Sequence, residues 1–299
     1  MTEPKKKMYE KHGSSALTPK DVATLIEKAR AVKDMGVLGS ERVYRLIKRY
    51  FSPTVVGLEN IPRENTLFVG NHSGFGLDGF LICPILYHEA GRFVRAMGDN
   101  ILLQNPKVGD LLIKSGMIPA HPEVCGAMME DGVDLLVFPG GAHEAIKSEA
   151  DKYTLLWKER YGFVRMAARH GYPITPFAVV GADEFYDQLI ESREFADSWP
   201  GKLLKKAGVL TDDWREDMMP FIPQGVFSTL LPKPQHCYLA FGEPIAVPHY
   251  PDGKTVPKSV LNRVRNETAS SIETMLRDML LLRAQEKRND SFIRRLLSR

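Results

Sequence analysis

The strongest constraint on this chain is an alternation that begins near Thr54. Short apolar runs bounded by turn residues give way, repeatedly, to stretches with helical period. Strands are expected over 66–70, 93–97, 117–119, 134–138, 174–180 and 236–241, and helices over 77–89, 107–114, 123–131, 157–170, 184–195 and 202–207. Strands that alternate with helices pair in parallel, because each helix carries the chain back across the sheet before the next strand begins. The expected fold class is therefore α/β, a largely parallel mixed sheet flanked by helices.

Two helices are expected ahead of that block. Thr18-Pro19-Lys20-Asp21 supplies a cap hydroxyl, a first-turn proline and an acid at the positive end of a helix. Val22, Leu25, Ile26, Ala29 and Val32 then share one face. Ser40 opens a second helix with Val43, Leu46, Ile47, Tyr50 and Phe51 as its stripe, and Pro53 ends it. After Pro257, Leu261, Val264, Thr268, Ile272, Met275, Met279 and Leu282 recur at spacings of three and four, the mark of a long helix docked on the domain. The expected organisation is a disordered tail over 1–17, a helical pair over 18–52, the α/β domain over 53–256, and an amphipathic helix with a basic tail over 257–299. Four prolines between 210 and 235, set among Trp214, Met218, Phe221 and Phe227, predict an irregular apolar loop, either a lid or a segment packed on the core.

Several function classes recede on composition. The formal net charge of +3 is too small to argue for nucleic acid. Three widely spaced cysteines, with no CxxC pair, make neither a disulfide framework nor a zinc site. The polar N-terminus lacks the apolar core of a secretory signal, and no run of roughly 18 apolar residues occurs. The expected location is cytoplasmic and peripheral on a membrane surface. The basic, apolar segment 291–299 and the loop after Leu210 are the expected points of contact, with a solvated tail as the other possibility.

The segment TLFVGNHSGFGLDGF carries the first chemical signal. A buried strand ends at Gly70 and His72 follows in the loop at its carboxyl end, where open α/β sheets bind ligands. A neutral imidazole is a good base near pH 7, and a carboxylate on its other ring nitrogen fixes the tautomer and supports the imidazolium. Asp78, brought back by Gly74 and Gly76, is positioned to be that carboxylate. A capping pair at a strand–helix junction would use the same residues. Gly74 to Gly79 also fits G-x-G-x-x-G, so a nicotinamide-dependent oxidoreductase is a second reading, weakened by the lack of a clear strand-ending acid about 20 residues on. The second signal, VDLLVFPGGAHEA, ends another short strand in a turn whose Gly140 and Gly141 amides are expected to be open to an oxyanion or phosphate. His143 and Glu144 follow at once.

Together these motifs resemble the NHxxxxD and FPEGTR boxes of the glycerolipid acyltransferase superfamily. Asn71-His72 and Asp78 match the first box with one extra intervening residue; Phe138-Pro139 and Gly141 match the second. The PGGAHEA form and the longer spacing look like the branch with diacylglycerol acyltransferase-like and phytyl ester synthase-like enzymes. The similarity runs from about residue 54 to 248 and includes Ser115 to Pro119, Tyr172 to Pro176 and Phe241 to Ile245. It implies transfer of a fatty acyl group from a thioester, acyl-CoA or an acyl carrier protein, to a lipid hydroxyl, with no cofactor and no metal. It assigns His72 and Asp78 to catalysis, and Asn71, Ser73, Gly74, Phe138, Pro139, Gly140, Gly141, His143 and Glu144 to substrate binding. The family's phosphate-binding Glu and Arg are Gly140 and His143 here, and His121 stands near the arginine of its middle motif. A neutral acceptor such as diacylglycerol or a long-chain alcohol is therefore expected ahead of a lysophospholipid, unless Arg165 or Lys158 compensates. A lipid-binding protein on an inactive scaffold is the non-enzymatic alternative.

Overall fold

The alternation closes into one seven-stranded sheet. The structure is a computed structural model that describes residues 17–99, 106–191, 221–229, 231–251 and 253–286, with Arg294 and Leu297. The strands are β1 (Thr54–Val56), β2 (Leu67–Gly70), β3 (Arg95–Gly98), β4 (Ile118–Pro119), β5 (Leu135–Val137), β6 (Ile174–Val180), β7 (Asp187–Glu191), β8 (Phe221–Gln224) and β9 (Tyr238–Phe241). The main sheet has the order β1-β9-β6-β2-β5-β3-β4. From β6 through β4 all neighbours are parallel; β9 runs antiparallel to β6, and β1 parallel to β9.

The helices are α1 (Pro19–Ala31), α2 (Glu41–Phe51), α3 (Leu77–Glu89), α4 (Pro106–Lys114), α5 (Pro122–Glu130), α6 (Gly141–Ala145), α7 (Gly162–His170) and α8 (Lys258–Glu286). They cover both sheet faces, because successive strand residues point to opposite sides. Leu67, Val69, Leu135 and Ala178 pack beneath α1, α5, α7 and α8, while Phe68, Leu136, Phe177 and Val179 pack against α2 and α3. α1 starts as expected: Thr18 and Asp21 form a reciprocal capping box, with Pro19 in the first turn. α8 buries Leu261, Val264, Thr268, Ile272, Leu276 and Met279, with Met275 and Leu282 half-buried beside them. Sinking Ile272 or Leu276 contributes roughly 2 kcal/mol each, so this helix is part of the domain's core.

Three local expectations change. The helix expected over 157–170 begins only at Gly162; the buried Trp157 anchors the chain, and Lys158 with φ 48° breaks any helix there. In place of a helix from 184, a single turn at Ala182–Glu184 leads into β7, which pairs antiparallel with β8. The fully buried Phe185 and the Lys233–Asp187 ion pair at 2.7 Å hold that ribbon down. Part of the segment expected to be irregular is thus a strand, and Pro223 is tolerated because a two-stranded ribbon leaves one side of each strand unpaired. Residues 1–16 of the expected tail and the helix over 202–207 lie outside the described residues, as does most of the basic C-terminal segment.

Candidate active site

Sheet register brings the two motifs together. Val69 of β2 aligns with Val137 of β5, so Asn71-His72 and Phe138-Pro139 emerge side by side at the carboxyl edge. β6 flanks β2 on the other side, and the Asn71 amide continues that pairing. Its Nδ2 donates to the Val179 carbonyl at 2.9 Å and its Oδ1 accepts from the Val179 amide at 2.8 Å. Asn71 is fully buried, so its side chain fixes the exit of β2 and is not placed to touch a ligand, a correction to its assignment as a binding residue.

The loop after His72 turns back through Gly74, Phe75 and Gly76, with φ of 58°, 56° and 87°. Glycine takes that left-handed backbone without penalty, whereas Phe75 stores about 1 kcal/mol or more of strain. The turn delivers Asp78, on the first turn of α3, to His72: Nδ1 and Oδ2 are 2.9 Å apart. Asp78 is 0% exposed and accepts from the Ser73 amide at 2.7 Å and from the Gly79 amide at 2.8 Å. The His72 side chain is 15% exposed. One ring face lies on Phe138, with centroids 4.0 Å apart and planes 10° apart. With Nδ1 committed to Asp78, Nε2 is the nitrogen left for chemistry.

The glycine run is not built for a dinucleotide. Within it the Gly76 amide donates to the Ser73 carbonyl, the Leu77 amide to the Gly74 carbonyl and the Gly79 amide to the Asp78 carboxylate, and a Cβ at Gly74 would press to 2.9 Å from the Ala182 carbonyl. Ser73 is also fully buried, so its hydroxyl, like the Asn71 amide, lies beneath the ligand surface.

The second motif differs from expectation in two respects. The Gly141 amide donates to the Phe138 carbonyl at 3.0 Å, so of the two glycines only Gly140 has an amide not spent on this turn. Glu144 is 0% exposed and folds back over Gly140, where a Cβ would collide with its carboxylate. The family's box carries a glutamate at the position of Gly140; here a carboxylate one helical turn later occupies that space. Among the described residues, neither Glu144 oxygen has a hydrogen-bond partner of normal geometry. Burial pushes its carboxyl up to about 7, against the pull of Lys147 and His72. Glu144 is thus a buried neighbour of the His72 loop and not a surface on which substrate rests. His143 is exposed.

Behind Glu144 runs a buried polar chain that the sequence did not disclose. Lys147 Nζ meets Asp183 Oδ1 at 3.3 Å, with both side chains almost completely buried. Asp183 accepts from the Tyr153 amide at 2.9 Å, and the Tyr153 hydroxyl accepts from Arg283 of α8 at 2.8 Å. Arg283 also pairs with Glu184. The only sequence trace is a lysine and an acid in otherwise apolar neighbourhoods, far apart in the chain.

Two cavities flank the His72–Phe138 pair. A narrow apolar cleft of about 50 Å³ is lined by Gly76, Gly79, Phe80, Cys83 and Ala96. A larger one, about 620 Å³, is lined by Met97, Phe138, Pro139, Tyr161 and Arg165. Consecutive residues of β3, Ala96 and Met97, face one cavity each, so the two lie on opposite faces of the sheet.

The comparisons with known proteins fit this geometry. Residues 52–180 match the family model Acyltransferase. An uncharacterised protein of Mycobacterium tuberculosis is 28% identical over 237 residues, which is 78% of this chain and 63% of that protein. Phytyl ester synthase 1, chloroplastic, of Arabidopsis thaliana is 27% identical over 254 residues, 78% of this chain and 35% of its own length. The mouse "DGAT1/2-independent enzyme synthesizing storage lipids" is 27% identical over 141 residues, 47% of this chain and 43% of that protein. The chain thus spans 63% of the length of the mycobacterial relative and 35% of the plant one. Among solved structures, the 1-acyl-sn-glycerophosphate (LPA) acyltransferase PlsC of Thermotoga maritima aligns with a TM-score of 0.45 and 17% identity, covering 85% of this chain and 87% of that one. The motif pair meets at one sheet edge within the segment, residues 52–180, that matches the Acyltransferase family model.

Proposed function

We propose that this protein transfers a fatty acyl group from a thioester to a lipid hydroxyl, with His72 as general base. The observation that carries the proposal is the 2.9 Å contact of His72 Nδ1 with a fully buried Asp78, itself held by two backbone amides. Asp78 fixes the tautomer that presents Nε2 as a base, and Phe138 holds the ring plane.

The acceptor hydroxyl oxygen attacks the thioester carbonyl carbon while Nε2 takes the hydroxyl proton. The carbonyl pair moves to oxygen, where the Gly140 amide is the candidate donor. Collapse re-forms the carbonyl and breaks the C–S bond, and the imidazolium returns its proton to the leaving thiolate. The apolar cleft beside Gly76 and Gly79 is the proposed entry for the acyl chain.

A neutral acceptor is the favoured finer reading. Gly140 and His143 replace the family's phosphate-gripping pair, and histidine cannot reproduce a bidentate arginine. The names of the plant and mouse relatives, an ester synthase for phytol and an enzyme of storage lipids, point the same way. Labelled acyl-CoA offered with diacylglycerol, a long-chain alcohol and lysophosphatidate in competition tests it. Label in neutral esters is expected, and label solely in phosphatidate would replace the neutral acceptor with a phospholipid one.

A further inference from the structure

The larger cavity shares Phe138 and Pro139 with the candidate active site, yet its chemistry differs. Its floor is apolar, through Met97, Val137 and Phe163, whereas Arg160, Arg165 and Arg169 stand on one wall with His121 and His170 close by; Glu159 is the acid among the lining residues. Arg165 and Arg169 lie four residues apart and so share a face of α7, while Phe163, Val164, Ala167 and Ala168 turn into the core. Arg165 lies over the Tyr161 ring, 5.9 Å from its centroid. Arg160 is fixed at the mouth, donating from Nη1 to the Pro139 carbonyl at 2.8 Å, which uses one of its five N–H donors. His121, standing near the position of the family's middle-motif arginine, also lines this cavity, and its Nδ1 has no hydrogen-bond partner among the described residues.

Like charges gathered on one wall of an open cavity repel one another and together favour an anion. We propose that this cavity is a phosphate subsite, built from Arg160 and Arg165 in place of the motif arginines, and that it holds the phosphates of the acyl donor's carrier, a coenzyme A thioester. The inference rests on the acyl-transfer reading above. With a neutral acceptor, the phosphates in the reaction belong to the donor. A lysophosphatidate would carry its phosphate a few bonds from the reacting hydroxyl and so beside His72, where Asp78 and Glu144 are packed. A coenzyme A thioester instead carries its phosphates at the far end of a long thiol arm, away from the reacting carbonyl.

Calorimetric titration of the full chain with coenzyme A tests this, using wild type, Arg165→Glu, Arg165→Gln and the distant Arg277→Glu. Arg165 is exposed, so its replacement leaves the core intact, and the glutamine variant serves if charge reversal disturbs α7. Loss of one charge-assisted contact raises Kd roughly tenfold. The expected result is that rise in the Arg165 variants, with binding unchanged in Arg277→Glu, and a higher KM for acyl-CoA at near-normal kcat. Unchanged coenzyme A binding in both Arg165 variants would overturn the subsite. Displacement of coenzyme A by lysophosphatidate from wild type but not from Arg165→Glu would assign the phosphate to the acceptor and overturn the donor assignment. Coenzyme A bound through Arg165 with no acyl transfer by wild type would sink the acyl-transfer reading and leave the subsite standing.

Discussion

Replacing Glu144 by glutamine should stabilise this protein at alkaline pH and leave it unchanged at acid pH. The folded carboxyl titrates at about 7, against an ordinary value of 4.5. Between those values the folded state keeps a proton that the unfolded state has released. Stability therefore falls as pH rises from 4.5 to 7, and the full penalty is present above 7. A difference of about 2.5 units, at about 1.36 kcal/mol per unit, amounts to about 3 kcal/mol. Lys147 and His72 are already counted in that value, because both pull the carboxyl down against burial. Glutamine has the shape of the protonated acid and cannot ionise, so the variant should match wild type near pH 4 and exceed it by about 3 kcal/mol at pH 8. For a chain of this size that is a rise of about 6 °C in Tm. Thermal and urea unfolding followed by circular dichroism at both pH values would measure it. A stability difference that does not change with pH, or a loss of stability at pH 8, would refute the picture of an uncompensated carboxylate beneath the His72 loop.

Other expectations follow from the same geometry. Asp78→Asn can no longer hold the tautomer that presents Nε2, and single-turnover transfer should slow by about 10⁴-fold. Phe138→Ala removes the ring stacked on His72, so the variant should lose about 1 kcal/mol of stability beyond its lost burial, and transfer should slow with it. Lys147→Met removes the cation that draws the Asp183 carboxyl down against burial, and breaking this buried pair should cost about 3–5 kcal/mol in urea unfolding. The double variant Lys147→Met/Asp183→Leu should recover much of that loss.

Much of the fold was legible because its signals are local. Thr18 and Asp21 cap α1, the run over 77–89 is a helix with those same ends, and Ile174–Val180 is the strand its mostly apolar run suggested. Misreadings arose where tertiary contacts override local preference. Trp157 is drawn into the core and leaves Lys158 in a left-handed conformation that stops a helix; Asp187–Glu191 has helical composition but pairs with a distant strand. At the site, His72 and Asp78 were readable because six residues and two glycines suffice to bring them together. The burial of Asn71, Ser73 and Glu144, and the return of the Gly141 amide to Phe138, were not readable, since each depends on β2, β5 and β6 stacking in register. The wall of Arg160, Arg165 and Arg169 left only a faint trace, basic residues spaced by four or five, which a solvated helix face would share.

The most direct test compares the lipid products of wild type and His72→Ala, expressed in the same host and analysed by mass spectrometry, with circular dichroism confirming that both are folded. The account predicts new acyl esters with wild type and their near-complete loss in the variant. Equal ester formation by the folded variant would contradict it, because His72 Nε2 would then not be the base that takes the acceptor's proton.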